Sequence, residues 1–281
     1  MTGVRMAVFD LDGTLLDHGA LTLRAIRMLR TLRRSGVKVV IATGRHRGTV
    51  PLRLKSPRLV DYLICSNGAV VTPARGEPLL ERTLDRAEVK ALMDLGKAFD
   101  CRYAVSAGHS TFLSKTEPLR RRKTDGSSDT KNYFWRYYMY PLHSRTVDGW
   151  DAFLQRPDAK AEKVICTCRD IEADMSLRAL SEADGRFTAT GSNQAAEITA
   201  RGVCKGSALR FLADRLAIPR EAIVAFGNDD NDLTLRAQAG RFVAARASSP
   251  AALEAADEVA DSIPEAALRL CLIRQEKEAQ T

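Results

Sequence analysis

Cysteine, aromatic residues and long apolar runs are all scarce in this chain of 281 residues. Its 6 cysteines are too few for a disulfide framework, and no histidine pair is spaced to complete a zinc site with Cys166 and Cys168. No apolar run approaches the roughly 20 residues that a membrane-spanning helix needs. The start of the chain has no signal-peptide core, because Asp10 comes too early. We therefore expect reduced thiols, no membrane partner and a cytoplasmic location.

The sequence motifs of several common enzyme classes are also missing. The chain has no Gly-x-x-x-x-Gly-Lys-Ser/Thr loop, no Gly-x-Ser-x-Gly elbow and no His-Glu-x-x-His. P-loop kinase, esterase and zincin activities therefore lack support. The net charge of +8 favours anionic partners, but it does not distinguish nucleic acid, acidic lipid and phosphorylated metabolites.

Short apolar runs alternate with helical patterns in the first and last thirds of the chain. The runs cover residues 6–9, 37–42, 62–65 and 222–226, and helical spacing covers residues 21–35 and 207–216. This alternation predicts an α/β fold, a doubly wound, Rossmann-like parallel sheet. A polar cluster directly follows each of these four apolar runs. Because ligands bind outside the carboxyl ends of such strands, these clusters mark the expected site.

The middle of the chain has a different pattern. Helical spacing at 85–99 and 171–182 is mixed with short strand patterns at 101–105, 111–114 and 163–168. We interpret residues 81–188 as an inserted α+β domain, with residues 1–80 and 189–281 forming one interrupted core. The hinges of a mobile insert should then lie near residues 75–83 and 187–193.

The first polar cluster carries two carboxylates with the spacing that catalysis can use. Asp10 and Asp12 follow the apolar run at 6–9, and residues two apart on an extended chain point to the same side. One carboxylate can attack as a nucleophile while the other donates a proton and later accepts one. Gly13 allows a sharp turn and a close approach of its N–H to an anion.

Asp-Leu-Asp-Gly-Thr at 10–14 resembles the first motif of the haloacid dehalogenase superfamily, and the other motifs follow in order. They are Thr43 in Ile-Ala-Thr-Gly-Arg, Lys205 in Gly-Val-Cys-Lys-Gly, and the acidic cluster at 227–232. Cys-Ser-Asn-Gly-Ala at 65–69 and Glu197-Ile198 are similar to the Cof-type subfamily, whose type IIB cap lies between the second and third motifs.

The resemblance implies a Mg²⁺-dependent phosphatase that acts on a small phosphorylated metabolite, such as a sugar phosphate or a similar phosphomonoester, through an aspartyl-phosphate. Its catalytic residues would be Asp10 and Asp12. Its phosphate-binding residues would be Thr43, Gly44, Lys205 and Asn231, and Arg45 would contact substrate. Its metal ligands would be Asp10, Asp12, Asn228 and Asp232, an oxygen-only set that suits Mg²⁺.

One residue departs from the family pattern. Asn228 follows Gly227, where the family often has an aspartate as a metal ligand. An amide oxygen still coordinates Mg²⁺ but brings no charge, so we expect weaker metal binding with activity intact. A disabled site is the alternative.

Other features leave alternatives open. A basic run at 120–123 predicts a solvated loop or a reader of a second anionic group, and six aromatic residues at 133–140 predict cap core or a homodimer contact. The net charge keeps a second hypothesis open, a non-catalytic nucleic-acid-binding or regulatory protein on the same fold, although nucleic acid is the less favoured partner. A phosphomutase is a third.

Overall fold

Strands and helices alternate along the chain in the computed structural model, which describes residues 3–16, 19–118, 140–192 and 195–272. The strands are β1 (Met6–Phe9), β2 (Lys38–Ala42), β3 (Tyr62–Cys65), β4 (Val70–Pro73), β5 (Leu80–Glu81), β6 (Arg102–Ala107), β7 (Ser110–Ser114), β8 (Ser144–Val147), β9 (Lys163–Thr167), β10 (Phe187–Ser192), β11 (Ala195–Ala200), β12 (Ile223–Gly227), β13 (Arg241–Ala245) and β14 (Glu258–Ala260). The helices are α1 (Leu23–Arg34), α2 (Arg86–Gly96), α3 (Tyr140–His143), α4 (Trp150–Leu154), α5 (Ile171–Asp184), α6 (Lys205–Arg215), α7 (Leu233–Arg236), α8 (Pro250–Ala255) and α9 (Ile263–Leu272).

The chain divides into two compact units. The first unit comprises Met1–Gly44, Val50–Leu80 and Lys205–Thr281, and the second comprises Arg45–Thr49 and Glu81–Cys204. Residues 189–204, which the sequence analysis placed in the core, lie in the second unit. The reason is strand pairing, since β10 pairs with β11 and β11 pairs with β9. For the same reason most of the second expected hinge, residues 187–193, is a paired strand rather than a connection.

The first unit is built on an eight-stranded sheet in the order β14-β13-β12-β1-β2-β3-β4-β5. Strand β1 pairs in parallel with both β12 and β2, so Phe9 lies beside Phe226 on one side and Ile41 on the other. The four residues of β1 are all buried, as expected for a strand in the middle of a parallel sheet. The predicted doubly wound parallel fold is confirmed.

Helix α1 shows how local sequence defines an element of this unit. The Thr22 side chain accepts a hydrogen bond from the Ala25 N–H and so caps the first turn. Gly36, at a φ of 81°, follows Ser35, the C-cap residue of this helix. Apart from the exposed Leu23 in its first turn, the apolar residues of the helix fall on one face and are buried: Ala25, Ile26, Met28, Leu29 and Leu32.

The second unit is built on a six-stranded sheet in the order β10-β11-β9-β6-β7-β8. Adjacent strands in this sheet pair antiparallel, except for β7 and β8, which pair in parallel. Helices α2, α4 and α5 pack on one face of it, where Leu92, Phe153 and Leu177 join side chains from β6 and β9 in one core. The predicted α+β character of the insert matches this sheet.

Some sequence features fall outside the described residues. These are the basic run at 120–123, His18 and all of the aromatic cluster except Tyr140, of which the structure gives only the backbone. Within the described ranges, none of the helices has the length and apolar character needed to cross a membrane.

Substitution of Phe226 tests the packing beneath the carboxyl ends of β1 and β12. Its ring stacks on Phe9 with centroids 4.7 Å apart, and its side chain is fully buried. Replacing Phe226 with Ala should lower the free energy of unfolding by about 3–5 kcal/mol, because it removes this contact and leaves a cavity. Urea denaturation measures the loss. Leu52→Ala is the control, since Leu52 is 82% exposed and its loss should cost little. A Phe226→Ala protein as stable as this control would contradict the packing.

Candidate active site

The carboxyl ends of four strands bring the polar clusters to one edge of the first sheet. Strands β12, β1, β2 and β3 are neighbours and run in parallel. Asp10 follows β1, Thr43 follows β2 and Asn228 follows β12. The Asp10 N–H donates to the Phe226 carbonyl at 2.8 Å, and the Thr43 N–H donates to the Ile64 carbonyl at 2.8 Å. The backbone of the sheet therefore holds these residues at neighbouring positions.

Lys205 links the acidic groups at this edge. It is the first residue of α6, and its side chain is 1% exposed. Its Nζ donates to Asp10 Oδ1 at 2.7 Å and to Asp232 Oδ1 at 2.7 Å. Because both carboxylates are also buried, the three groups form a desolvated network with one positive and two acidic members.

The network shifts the proton affinity of its members. Burial raises the pKa of the Asp10 carboxyl to about 7, the Asp232 carboxylate adds to this, and Lys205 acts in the opposite direction. Burial alone would lower the pKa of Lys205, yet the two carboxylates beside it raise that pKa above its usual value. A further positive charge beside Asp10 would therefore favour its ionised form.

Asp232 uses both of its carboxylate oxygens to order the site. Oδ1 accepts from Lys205, while Oδ2 accepts from the backbone N–H groups of Asn228 and Asp229 at 2.9 and 3.1 Å. These bonds hold the turn that carries the Asn228 side chain. The metal-ligand role expected for Asp232 stays a prediction.

The Asn228 amide faces the two expected catalytic residues. One terminal atom of this amide lies 2.9 Å from the Asp12 carbonyl oxygen and 3.1 Å from Asp10 Oδ2. It also lies 2.8 Å from Thr14 Oγ1. A Cβ on Gly13, whose φ is 85°, would lie 2.5 Å from the amide nitrogen position, so glycine is required here.

The donor set at this point suits a small, hard cation. In an octahedral Mg²⁺ site with bonds of about 2.1 Å, neighbouring ligand oxygens lie about 3 Å apart. The separations from the Asn228 terminal atom to Asp10 Oδ2 and to the Asp12 carbonyl, 3.1 and 2.9 Å, match that spacing. The residues present therefore fit Mg²⁺ by both ligand chemistry and separation.

The remaining predicted residues lie at different places. Asn231 is part of the edge, because its Oδ1 accepts from Lys205 Nζ at 3.2 Å. Thr43 is buried directly after β2, the strand that neighbours β1, and Gly44 follows it. Arg45 belongs to the second unit, where its guanidinium donates to the Thr49 carbonyl at 3.3 Å.

Two residues at this edge were not among the predicted site residues. Asn67, at a φ of 55°, accepts from Asn231 through its side chain at 3.4 Å, and its N–H donates to the Thr43 carbonyl at 3.1 Å. Thr14 contacts the Asn228 amide. The sequence signals were the Ser-Asn-Gly turn that ends β3 and the position of Thr14 beside Gly13.

Comparison with known proteins decides the family. The model of the haloacid dehalogenase-like hydrolases matches residues 7–269. The chain belongs to the haloacid dehalogenase-like hydrolase family. The match spans both units and includes Asp10, Thr43, Lys205 and the cluster after β12.

Named relatives of this hydrolase include two bacterial phosphatases. An HMP-PP phosphatase of Yersinia pseudotuberculosis is 28% identical over 245 residues, which cover 84% of this chain and 82% of the relative. The putative phosphatase YxeH of Bacillus subtilis is 27% identical over 266 residues, covering 90% of this chain and 91% of YxeH.

Solved structures share the fold over nearly the whole chain. A haloacid dehalogenase-like hydrolase from B. subtilis superposes with a TM-score of 0.81 at 22% identity, covering 96% of this chain and 100% of that one. The subclass IIB sugar phosphatase BT4131 gives a TM-score of 0.75 at 19% identity, covering 95% and 98% of the two chains. The predicted Cof-type membership and the hydrolase class are confirmed, and the type IIB cap stays a prediction that the shared fold supports.

Lys205 provides a test of the buried network. Replacing it with Met would leave Asp10 and Asp232 buried without their shared cation, so we expect the free energy of unfolding to fall by about 3–5 kcal/mol. Chemical denaturation in the presence of EDTA measures this. Arg210→Met is the matched control on α6, since Arg210 is 73% exposed and lies 3.9 Å from Asp214, and its loss should cost at most about 0.5 kcal/mol. Equal losses in the two variants would contradict the network.

Proposed function

We propose that this hydrolase is a Mg²⁺-dependent phosphatase that cleaves small phosphomonoesters through an aspartyl-phosphate on Asp10. The observation that carries the proposal is the buried Asp10 carboxylate, bonded at 2.7 Å to Lys205 and followed two residues later by the exposed Asp12. A fixed nucleophile beside a solvent-accessible acid–base group is the pairing that a two-step phosphoryl transfer requires.

The two aspartates divide the chemistry between them. A carboxylate oxygen of Asp10 forms a bond to phosphorus as the bond from phosphorus to the alkoxide of the substrate breaks. Asp12 gives its proton to that alkoxide. Asp12 then takes a proton from water, whose oxygen attacks phosphorus and breaks the bond to Asp10, so that inorganic phosphate leaves and the enzyme is restored.

Neutral and positive donors at the sheet edge would hold the phosphoryl oxygens. Lys205 is already fixed beside Asp10, and Asn231 is fixed beside Lys205. Thr43 and Gly44 lie at the end of the neighbouring strand β2 and offer a hydroxyl and a backbone N–H. Phosphoryl transfer depends mainly on positioning and charge neutralisation, which these groups supply.

Asp10, the Asp12 carbonyl and Asn228 would hold the Mg²⁺ ion, while Asp232 orders the turn that carries Asn228. When bound, the cation supplies positive charge that neutralises the phosphoryl group and favours the ionised Asp10. The separations described above support this assignment.

The second unit would act as the cap that selects the substrate. Its six-stranded sheet with helices on one face supports this role, together with the likeness of the whole chain to a subclass IIB sugar phosphatase. One relative is named as an HMP-PP phosphatase and one similar structure is named as a sugar phosphatase. HMP-PP and sugar phosphates therefore belong in the first set of candidate substrates.

The decisive experiment measures release of p-nitrophenol from p-nitrophenyl phosphate with Mg²⁺ and with EDTA. The wild-type protein should release product only with Mg²⁺. Asp10→Asn should lose turnover altogether because the nucleophile is gone, and Asp12→Asn should lose about 10²–10⁴-fold because proton transfer is gone. Circular dichroism checks that each variant is folded.

Asp214→Asn is the matched control, because Asp214 is 75% exposed on α6 and carries the same charge change. It should keep wild-type turnover. A folded Asp10→Asn protein that still releases product at the wild-type rate would refute the mechanism. A wild-type protein that moves the phosphoryl group to a second hydroxyl without releasing phosphate would instead identify a phosphomutase.

A further inference from the structure

The Asn228 amide can adopt two orientations, and one of them satisfies both its oxygen and its nitrogen with hydrogen-bond partners. Its terminal atom facing the site lies near two groups that only accept hydrogen bonds, Asp10 Oδ2 when ionised and the Asp12 carbonyl. The third neighbour, the Thr14 hydroxyl, either donates or accepts. With nitrogen inward, the amide donates at 3.1, 2.9 and 2.8 Å to Asp10, Asp12 and Thr14. With oxygen inward, it accepts from Thr14 at 2.8 Å, but this oxygen also faces two further oxygens and the amide nitrogen faces only donors.

Each orientation suits a different state of the site. The nitrogen-inward amide places a partial positive charge beside Asp10 and the Asp12 carbonyl, the same two groups that a cation would contact. The oxygen-inward amide adds a third oxygen at the spacing of an Mg²⁺ coordination sphere. Aspartate has no such choice, because both of its oxygens are acceptors when ionised.

We propose that Asn228 is a two-state residue that replaces the cation in the metal-free enzyme and turns to become its ligand when Mg²⁺ binds. This inference rests on the Mg²⁺ site of the proposed function and extends it. In the metal-free state the amide nitrogen satisfies Asp10 and Asp12 and keeps the loop after β1 in its active arrangement. Mg²⁺ must break these hydrogen bonds, so its affinity is lower than that of a site with a carboxylate at this position.

The test compares wild-type protein with Asn228→Asp in two measurements that do not depend on turnover. Isothermal titration calorimetry should show at least about 10-fold tighter Mg²⁺ binding by the variant, because ligand charge sets affinity in oxygen sites. In EDTA the variant should melt at a lower temperature than wild type, because a carboxylate beside Asp10 and Asp12 adds repulsion where the amide donated hydrogen bonds.

A third measurement follows the amide itself. In ¹⁵N-labelled wild-type protein, the side-chain NH₂ signals that vanish in Asn228→Asp are assigned to Asn228. They should be protected from hydrogen exchange in EDTA and lose that protection when Mg²⁺ is added. Gln155→Glu adds the same charge in the second unit and should leave Mg²⁺ affinity unchanged.

The outcomes separate this inference from the proposed function. Equal Mg²⁺ affinities and equal metal-free melting temperatures for wild type and Asn228→Asp would overturn the inference and leave the phosphatase proposal standing. An NH₂ group that stays protected with Mg²⁺ bound would also overturn it. If neither protein binds Mg²⁺, the cation of the proposed function and this inference fail together.

A second, independent observation concerns two thiols of the second unit. Cys101 precedes β6 and Cys168 follows β9, and the register of these antiparallel strands places the two residues opposite each other, one step beyond Arg102 and Thr167. Their sulfurs lie 3.3 Å apart and both side chains are buried. Their shared hydrogen bond raises the pKa of Cys101 and lowers that of Cys168.

We infer that Cys101 and Cys168 form a reversible disulfide when a small peroxide oxidises the protein. Directly opposed residues of an antiparallel pair have Cα separations within the range that a disulfide needs. The Cys168 thiolate attacks a peroxide oxygen, the O–O bond breaks and hydroxide leaves, which gives a sulfenic acid. The Cys101 sulfur then attacks the Cys168 sulfur, the S–O bond breaks, and the thiol proton leaves with the oxygen as water.

Peptide mapping of peroxide-treated protein, alkylated and digested without reductant, tests the pair. The Cys101–Cys168 crosslinked peptide should form in wild type and in Cys166→Ser, which removes the neighbouring thiol of β9, and disappear with dithiothreitol. Cys101→Ser and Cys168→Ser should not form it. Oxidation confined to the partly exposed Cys204, with Cys101 and Cys168 still free in folded wild-type protein, would overturn the inference.

Discussion

The buried ammonium group of Lys205, shared by Asp10 and Asp232, is the interaction on which the rest of the site depends. These groups come from β1, the start of α6 and the turn after β12, which are far apart in sequence. A buried carboxylate without a partner is costly, so the network forms only when all three elements are in place. Asp10 is thereby fixed by contacts that link three separate elements of the first unit.

Lys205 alone does not balance the charge at this edge. Its single charge faces two buried carboxylates, and the pKa of Asp10 is still raised to about 7. The site is therefore a place where an additional cation lowers the energy of the ionised Asp10 carboxylate. Asn228 is suited to this situation, since its amide offers a donor to Asp10 and Asp12 in one orientation and an oxygen in the other. A neutral residue at this position makes the metal-free site less repulsive than a third buried carboxylate would.

Sequence reasoning succeeded where a pattern is local. The strand β3 was predicted at its observed bounds, and α1 was predicted within a few residues because Thr22 and Gly36 mark its ends. It did not identify β4, β8 or β13, which are only four or five residues long and whose places in the sheets depend on pairing with other strands. The hairpin of β10 and β11 was divided between the two domains, because nothing in residues 189–204 indicates that β11 pairs with β9.

The sequence by itself determined the family and led to the proposal of Asp10, Asp12, Thr43 and Lys205 as the reacting groups, since the order of motifs and the chemistry of these side chains can be read without coordinates. Only the tertiary structure decided how these groups are connected. It placed Asp232 as the partner of Lys205, Asn67 beside Asn231 and the Asn228 amide against Asp10 and Asp12. The physical reason is that hydrogen bonds and desolvation depend on distances across neighbouring strands, which are set by sheet order and register rather than by spacing along the chain.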